Sequence, residues 1–241
     1  KGTPAYHYNG HTESHDVLHN TKISVQTSDL VSQAKNMGCT VTDLISAAMI
    51  RSLQRIRKED KSIFKRGDIK ICVPVNLRKI FGRNTLRNFS SYVNIGVDAE
   101  KGDYSIDEII RTISSQKKEL MNPASLESKI NANVKLENNI FIRMIPWPIK
   151  KIAMNIINRL KGDRLCSQTL SNLGVVTLPE QMAKHVKGLD FQLGRHLQNF
   201  GACGCVSYGG ETSLNFSRKI KETCFEQYFT EELGSLGLIL Y

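Results

Sequence analysis

Thr40-Val-Thr-Asp43-Leu-Ile-Ser-Ala-Ala-Met-Ile-Arg-Ser-Leu-Gln-Arg-Ile-Arg57 is the stretch on which the reading of the fold turns. Thr40 followed three residues later by Asp43 has the form of a capping box, in which each side chain serves the other residue's backbone N–H. Val41, Leu44, Ile45, Ala48, Leu53 and Ile56 then recur at helical spacing and predict an amphipathic helix over 41–57. Upstream, Lys22 to Thr27 alternates Ile23 and Val25 with polar neighbours, as a half-buried strand does, and Ser28 opens a helix that Gly38 closes. Downstream, Ile69 to Val75 is apolar and β-rich, Ser91 to Val97 alternates, and an Arg- and Asn-rich loop joins them.

Helices continue to interleave with strands. Ile106, Ile109, Ile110 and Ile113 share one face of a helix over 106–121, and Pro123 stops it or starts a weaker one. After Pro146 and Pro148, with Trp147 read as a packing anchor, Ile149, Ile152, Ala153, Ile156, Ile157 and Leu160 form the clearest apolar stripe of the chain. Lys150, Lys151, Arg159 and Lys161 fill its polar face, which would suit an anionic membrane surface. Packing of the stripe on a sheet is the expectation. The last third reads as strands at Cys166–Val176, Val186–Leu193, Ala202–Ser207 and Thr212–Ser217, the last two joined through Tyr208-Gly-Gly-Glu211, and then a helix over Lys221–Leu233. The sum is an α/β (α+β) fold, a mixed β-sheet flanked by helices.

The 241 residues, 40% of them hydrophobic, suffice for a real core. Lys1 to Asn20 lacks apolar periodicity and reads as a linker or truncated end, leaving 21–241 as one lobe. No run of about 18 apolar residues and no signal-peptide core is present, so a cytoplasmic protein is expected. Cys39, Cys72, Cys166, Cys203, Cys205 and Cys224 form no CxxC pair, and reduced thiols are expected. His7, His11, His15 and His19 recur every four residues, but Pro4 and Gly10 argue against the helix that would align them as metal ligands. A net charge of +10 raises nucleic-acid binding, since clustered cations release counterions from phosphates. These cations are spread along the chain without a nucleic-acid motif, so an anionic thioester or an acidic carrier protein is the preferred use of the charge.

Gly38-Cys-Thr-Val-Thr-Asp43-Leu-Ile-Ser-Ala-Ala, Val73-Pro-Val-Asn-Leu-Arg78, Leu86-Arg-Asn-Phe-Ser-Ser-Tyr-Val-Asn94 and Leu170-Ser-Asn-Leu-Gly174 resemble, in this order, segments of the chloramphenicol-acetyltransferase-like superfamily. That superfamily includes condensation domains, wax ester synthases, the plant BAHD enzymes and bacterial alcohol acetyltransferases. The resemblance implies two α/β lobes with a tunnel between them, and this chain is similar to the second, C-terminal lobe. It implies no tightly bound cofactor, an acyl-CoA or acyl-carrier thioester as co-substrate, and a small alcohol or amine as acceptor. The first lobe of the same parent protein, and an acyl carrier protein, are the implied partners. A lone lobe would expose the face meant for its partner, so a homo-oligomer is also contemplated. The family's HHxxxDG motif, whose second histidine is a general base, is found at none of the six histidines; at His185 the nearest aspartate, Asp190, is one residue too far.

No catalytic residue is therefore assigned to this chain; the candidates are channel or cleft residues. Asp43 matches the acidic position of the Asn-Asp segment of wax ester synthases, with Thr42 in place of the Asn; helix capping is the alternative. Asn76 and Arg78 follow a buried strand, where Arg78 would pair a carboxylate or steer a phosphate, or form a structural ion pair. Asn88, Ser90 and Asn94 lie in the segment where relatives cross between lobes. Ser171 and Asn172 precede Gly174 at a strand end, where hydroxyl and amide donors would face an oxyanion or else cap a turn. The expected function is that of an acyltransferase lobe. A non-catalytic lobe that recognises a carrier protein or a membrane surface is the alternative.

Overall fold

The structure, a computed structural model, describes residues 3–62, 66–138, 144–153, 163–196 and 199–241. Strands β1 (His19–Gln26), β2 (Ile69–Asn76), β3 (Ser90–Val97), β4 (Gln168–Val175), β5 (Gly201–Tyr208) and β6 (Glu211–Arg218) form a six-stranded sheet among these residues, in the order β1-β6-β5-β4-β2-β3. Neighbours β2, β4 and β5 run parallel, while β2–β3, β5–β6 and β1–β6 are antiparallel. Among the described residues the helices are α1 (Thr27–Asn36), α2 (Val41–Glu59), α3 (Leu77–Phe81), α4 (Ile106–Leu120), α5 (Pro123–Asn138), α6 (Glu180–Ala183) and α7 (Cys224–Ser235), and residues 147–153 are helical as well. This is the mixed sheet with flanking helices that the sequence predicts. Gly209 and Gly210, both at positive φ (61° and 89°), make the tight β5–β6 hairpin turn that only glycine adopts without strain.

One face of the sheet carries the core. Ile69, Ile71, Val73 and Val75 of β2 alternate inward with Val93, Ile95 and Val97 of β3, and meet α2 and α4. Helix α2 is the spine, with Leu44, Ile45, Met49, Ile50 and Leu53 fully buried and contacts to β2, α4 and α7. Thr40 and Asp43 form the expected capping box at its start. At the other side of the core, Phe216 of β6 packs edge-on against Phe225 and Phe229 of α7.

Three expectations are corrected. Residues 3–19 do not stand off as a linker: Ala5 bridges Asp68, Thr12 bridges Ile220, and Tyr6 is completely buried with its hydroxyl donating to Asp60 at 2.8 Å. The segment is a strap across the amino ends of the parallel strands, anchored by Ala5, Tyr6 and Tyr8, which follow too closely on one another to give a periodic signal. Val186–Leu193 is not a strand. It crosses over β5 on the face away from the helices, so close that a Cβ on Gly204 would sit 2.0 Å from the Phe191 carbonyl oxygen. Asp190 there accepts from Ser213 Oγ at 2.7 Å and pairs with Lys22 Nζ at 3.0 Å. Its apolar alternation packs on the sheet's face and not in its ladder. Residues 147–153 are helical as expected, yet Ile149 and Ile152 are 59% and 61% exposed, and Trp147, expected to be a packing anchor, is exposed too. The core face of the sheet is already covered by α2, α4 and α7, so this stripe is not packed on it; Ile156, Ile157 and Leu160 lie outside the described residues.

If the strap is part of the lobe, Tyr6→Ala will lower unfolding free energy by about 3–5 kcal/mol, the usual loss for a buried aromatic side chain. Urea denaturation measures it; a change below about 0.5 kcal/mol, as at an ordinary surface position, would restore the linker reading.

Candidate functional site

The parallel strands β2 and β4 pair only at Ile71–Gln168 and Cys72–Thr169, although both run on, β2 to Asn76 and β4 to Val175. Proline chemistry explains the early end. Leu77 N–H donates to Phe89 O across to β3, so odd-numbered residues of β2 bond β3 and even-numbered ones turn to β4. The next donor that β2 would offer β4 is therefore residue 74, and Pro74 has no N–H. Beyond it, β2 stays with β3 as far as Asn76–Ser90, and β4 stays with β5 through a bulge between Asn172 and Val175. The sheet thus unzips at the carboxyl ends of two parallel neighbours. From there β2 leads through α3 to β3 on one side, and β4 leads by way of the segment over β5 to the other side. Connections leaving in opposite directions make a topological switch point, the place where open α/β sheets bind ligands.

The candidates take up several positions around this opening. Asn76 and Ser90 are cross-strand partners on the face away from the helices, with the half-exposed Tyr92 beside them and Asn94 further in, its amide donating to Leu165 O at 3.3 Å. Ser171 pairs with Gly204 on that same face. Asn172 points the other way: its Nδ2 donates to Thr42 Oγ1 at 3.1 Å, and its Oδ1 accepts from the Gly174 N–H at 2.8 Å. Asn76 Oδ1 caps α3 by accepting from the Arg78 N–H, and Ser90 Oγ donates to Asn88 Oδ1 at 2.7 Å.

Two candidates serve the frame. Arg78 donates to Thr85 O at 2.8 Å and Arg87 O at 2.6 Å, so its guanidinium holds the loop between α3 and β3. Asp43 is 4% exposed, accepts from Thr40 N and Oγ1, and is paired with Lys117 Nζ of α4 at 2.8 Å. Together Lys117, Asp43, Thr40, Thr42 and Asn172 tie α4, the first turn of α2 and the end of β4 into one brace.

The candidates placed around the opening, Asn76, Ser90, Asn94 and Ser171, are hydroxyl and amide groups, none of which takes a proton near neutral pH. Burial raises the Tyr92 phenol above its ordinary value, with the nearby Cys72 and Cys166 adding to the shift. Cys203 and Cys205 are buried in the core; burial pushes the Cys205 thiol up to about 12 and Cys203 well above its normal range, so neither is a thiolate nucleophile. His7, His11 and His19 belong to the strap and the start of β1, at the opposite end of the sheet, where His11 binds Glu222 and His19 binds Glu13. Among the described residues no three His, Cys, Asp or Glu side chains come together as a metal site.

No family model and no curated protein matches this sequence. Solved structures do. The trichothecene 15-O-acetyltransferase TRI3 from Fusarium sporotrichioides superposes with a TM-score of 0.65 at 13% identity, over 96% of this chain and 49% of that one. A wax ester synthase/diacylglycerol acyltransferase from Marinobacter aquaeolei VT8 gives 0.53 at 11% identity, over 91% and 48%. The first condensation domain of the CDA synthetase gives 0.51 at 13% identity, over 98% and 45%. The chain has the condensation-domain, chloramphenicol-acetyltransferase-like fold. It spans under half the length of each of these three proteins.

Seen as a condensation-like lobe, the feature that the residue-by-residue reading passed over is Pro74. A proline inside an otherwise β-rich run was the available signal, because it marks an edge or an interrupted ladder. The exposed apolar residues Leu86, Leu173 and Val175 around the opening were also missed; a single sequence does not distinguish them from core.

Asn172→Ala removes two hydrogen bonds that fix the β4 end, and is expected to cost about 1–2 kcal/mol. Gly174→Ala, at φ 77°, should cost about as much through backbone strain. Denaturant midpoints measure both; wild-type midpoints in both variants would show that the brace holds nothing.

Proposed function

We propose that this chain is the acceptor-side lobe of an acyltransferase that moves an acyl group from a CoA or acyl-carrier thioester to an alcohol or amine. The observation that carries the reading is the unzipped β2–β4 end at a switch point, in a fold shared with an acetyltransferase, a wax ester synthase and condensation domains. A pantetheine arm is a chain of two amides, chemically peptide-like, and the interrupted ladder offers it main-chain groups with no strand partner across the gap. Asn76, Ser90 and Ser171 form the polar wall of that passage, while Asp43, Arg78, Asn88 and Asn172 hold its shape. Leu86, Tyr92, Leu173 and Val175 are the surface that the other lobe of a longer parent protein covers. Without that lobe, the same patch favours self-association.

In this reading a histidine of an HHxxxDG segment, contributed by the rest of the parent, takes the proton of the acceptor O–H or N–H. The acceptor attacks the thioester carbonyl, the acyl–oxygen or acyl–nitrogen bond forms, and the acyl–sulfur bond breaks to release the thiol. Nothing in this chain's described opening replaces that base. The chain needs no tightly bound cofactor, and a cytoplasmic setting keeps its six cysteines, none of them in a disulfide, reduced.

The test is thiol release from a panel of acyl thioesters with alcohols and amines, run on this chain and on a parent containing HHxxxDG. A general base contributes on the order of 10² to 10⁴ in rate, so the chain alone should stay at the buffer background while the parent turns over. Acceptor-dependent release by this chain alone would put the base in the wrong half. A parent with an intact motif and no turnover on any thioester would remove the acyltransferase reading.

A further inference from the structure

From Asn138 to Gly162 the sequence has no acidic residue and five basic ones, Arg143, Lys150, Lys151, Arg159 and Lys161. In the described part of this stretch four large apolar side chains stand in solvent, with Ile145 half-buried. Met144 is 75% exposed, Trp147 69%, Ile149 59% and Ile152 61%. Residues 147–153 form the start of a helix, with the Lys150 N–H bonded to Pro146 O at 3.0 Å; Ile149 and Ile152 are one turn apart on one side, and Lys150 and Lys151 lie between them in sequence on the other. Exposing this much apolar area in one short segment is costly in water and marks a docking surface.

We propose that this segment docks the lobe on an anionic lipid bilayer, lying in the interface without crossing it. The charge decides the occupant. Large aliphatic side chains, a tryptophan between two prolines and flanking lysines match the boundary between headgroups and acyl chains, where apolar atoms are buried and cations meet lipid phosphate. An acidic carrier protein would use the lysines but leave Trp147, Ile149 and Ile152 without an environment. No described helix is long and apolar enough to span a bilayer, so surface binding is the mode that fits. Such docking would bring the lobe to acceptors or acyl chains dissolved in lipid; the binding itself is independent of the acyl-transfer reading.

Trp147 is the protein's one tryptophan and sits in the proposed contact. The test is flotation of the 241-residue chain with phosphatidylcholine vesicles, with and without 30% phosphatidylglycerol (about a third of the lipid, enough to set up an anionic surface), together with Trp147 emission. Anionic vesicles should float the protein and shift Trp147 to the blue, and neutral vesicles or high salt should not. Lys150→Gln and Lys151→Gln should each weaken binding about fivefold. The double variant Ile149→Glu with Ile152→Glu should abolish it while leaving the circular dichroism spectrum and urea midpoint unchanged, since both positions are already exposed. Flotation that ignores lipid charge, that survives the double variant, or that leaves Trp147 emission unmoved would overturn the proposal. So would flotation by this chain and none by a longer parent, which would show that another part of that parent covers the helix; selective binding of an acidic carrier protein by a chain that does not float would assign the surface to that partner instead.

Discussion

A missing N–H at Pro74 sets the character of this lobe. A six-stranded mixed sheet with its core on one side would, with any other residue there, extend the parallel β2–β4 ladder toward the carboxyl ends of both strands. Proline withholds the next donor, and the two halves of the sheet, β1-β6-β5-β4 and β2-β3, part where their connections already leave in opposite directions. Asn76, Ser90 and Ser171 then end on one face beside an opening, where a continued ladder would have placed them in a closed sheet.

An opening between strands needs a rigid frame, and the structure has one on each side. The buried Asp43 carboxylate, held by Thr40 and Lys117, fixes α2 to α4, and the Thr42–Asn172 bond fixes α2 to β4. On the other side Arg78 holds the α3–β3 loop by its carbonyls. At the far end of the sheet the strap carrying Tyr6 closes the core. The division of labour follows: charged groups stiffen, and neutral donors face the opening.

The helices and most strands were legible because their signals are local. The capping box at Thr40 and Asp43, the stripe through Leu44 and Ile56, and the Gly209-Gly210 turn depend on residues within a few positions of one another. What was not legible depends on neighbours far along the chain. Val186–Leu193 alternates like a strand, but whether it joins a ladder or lies on a sheet depends on the glycine at 204. Asp43 and Arg78 look like site residues until Lys117 and the carbonyls of Thr85 and Arg87 are found beside them. Residues 3–19 hide one buried tyrosine in a polar run, and the stripe through Ile149 says apolar without saying what covers it. Pro74 stood in plain view, yet its meaning required knowing that β4, which begins only at Gln168, lies on its even-numbered side.

Amide hydrogen exchange on a Pro74→Val variant tests this account most directly. Restoring the donor should produce a strongly protected amide at residue 74 and new protection along the facing stretch of β4 near Asn172. A residue-74 amide that exchanges at the rate of an open loop would contradict it, because the strands would then be held apart by something other than the proline.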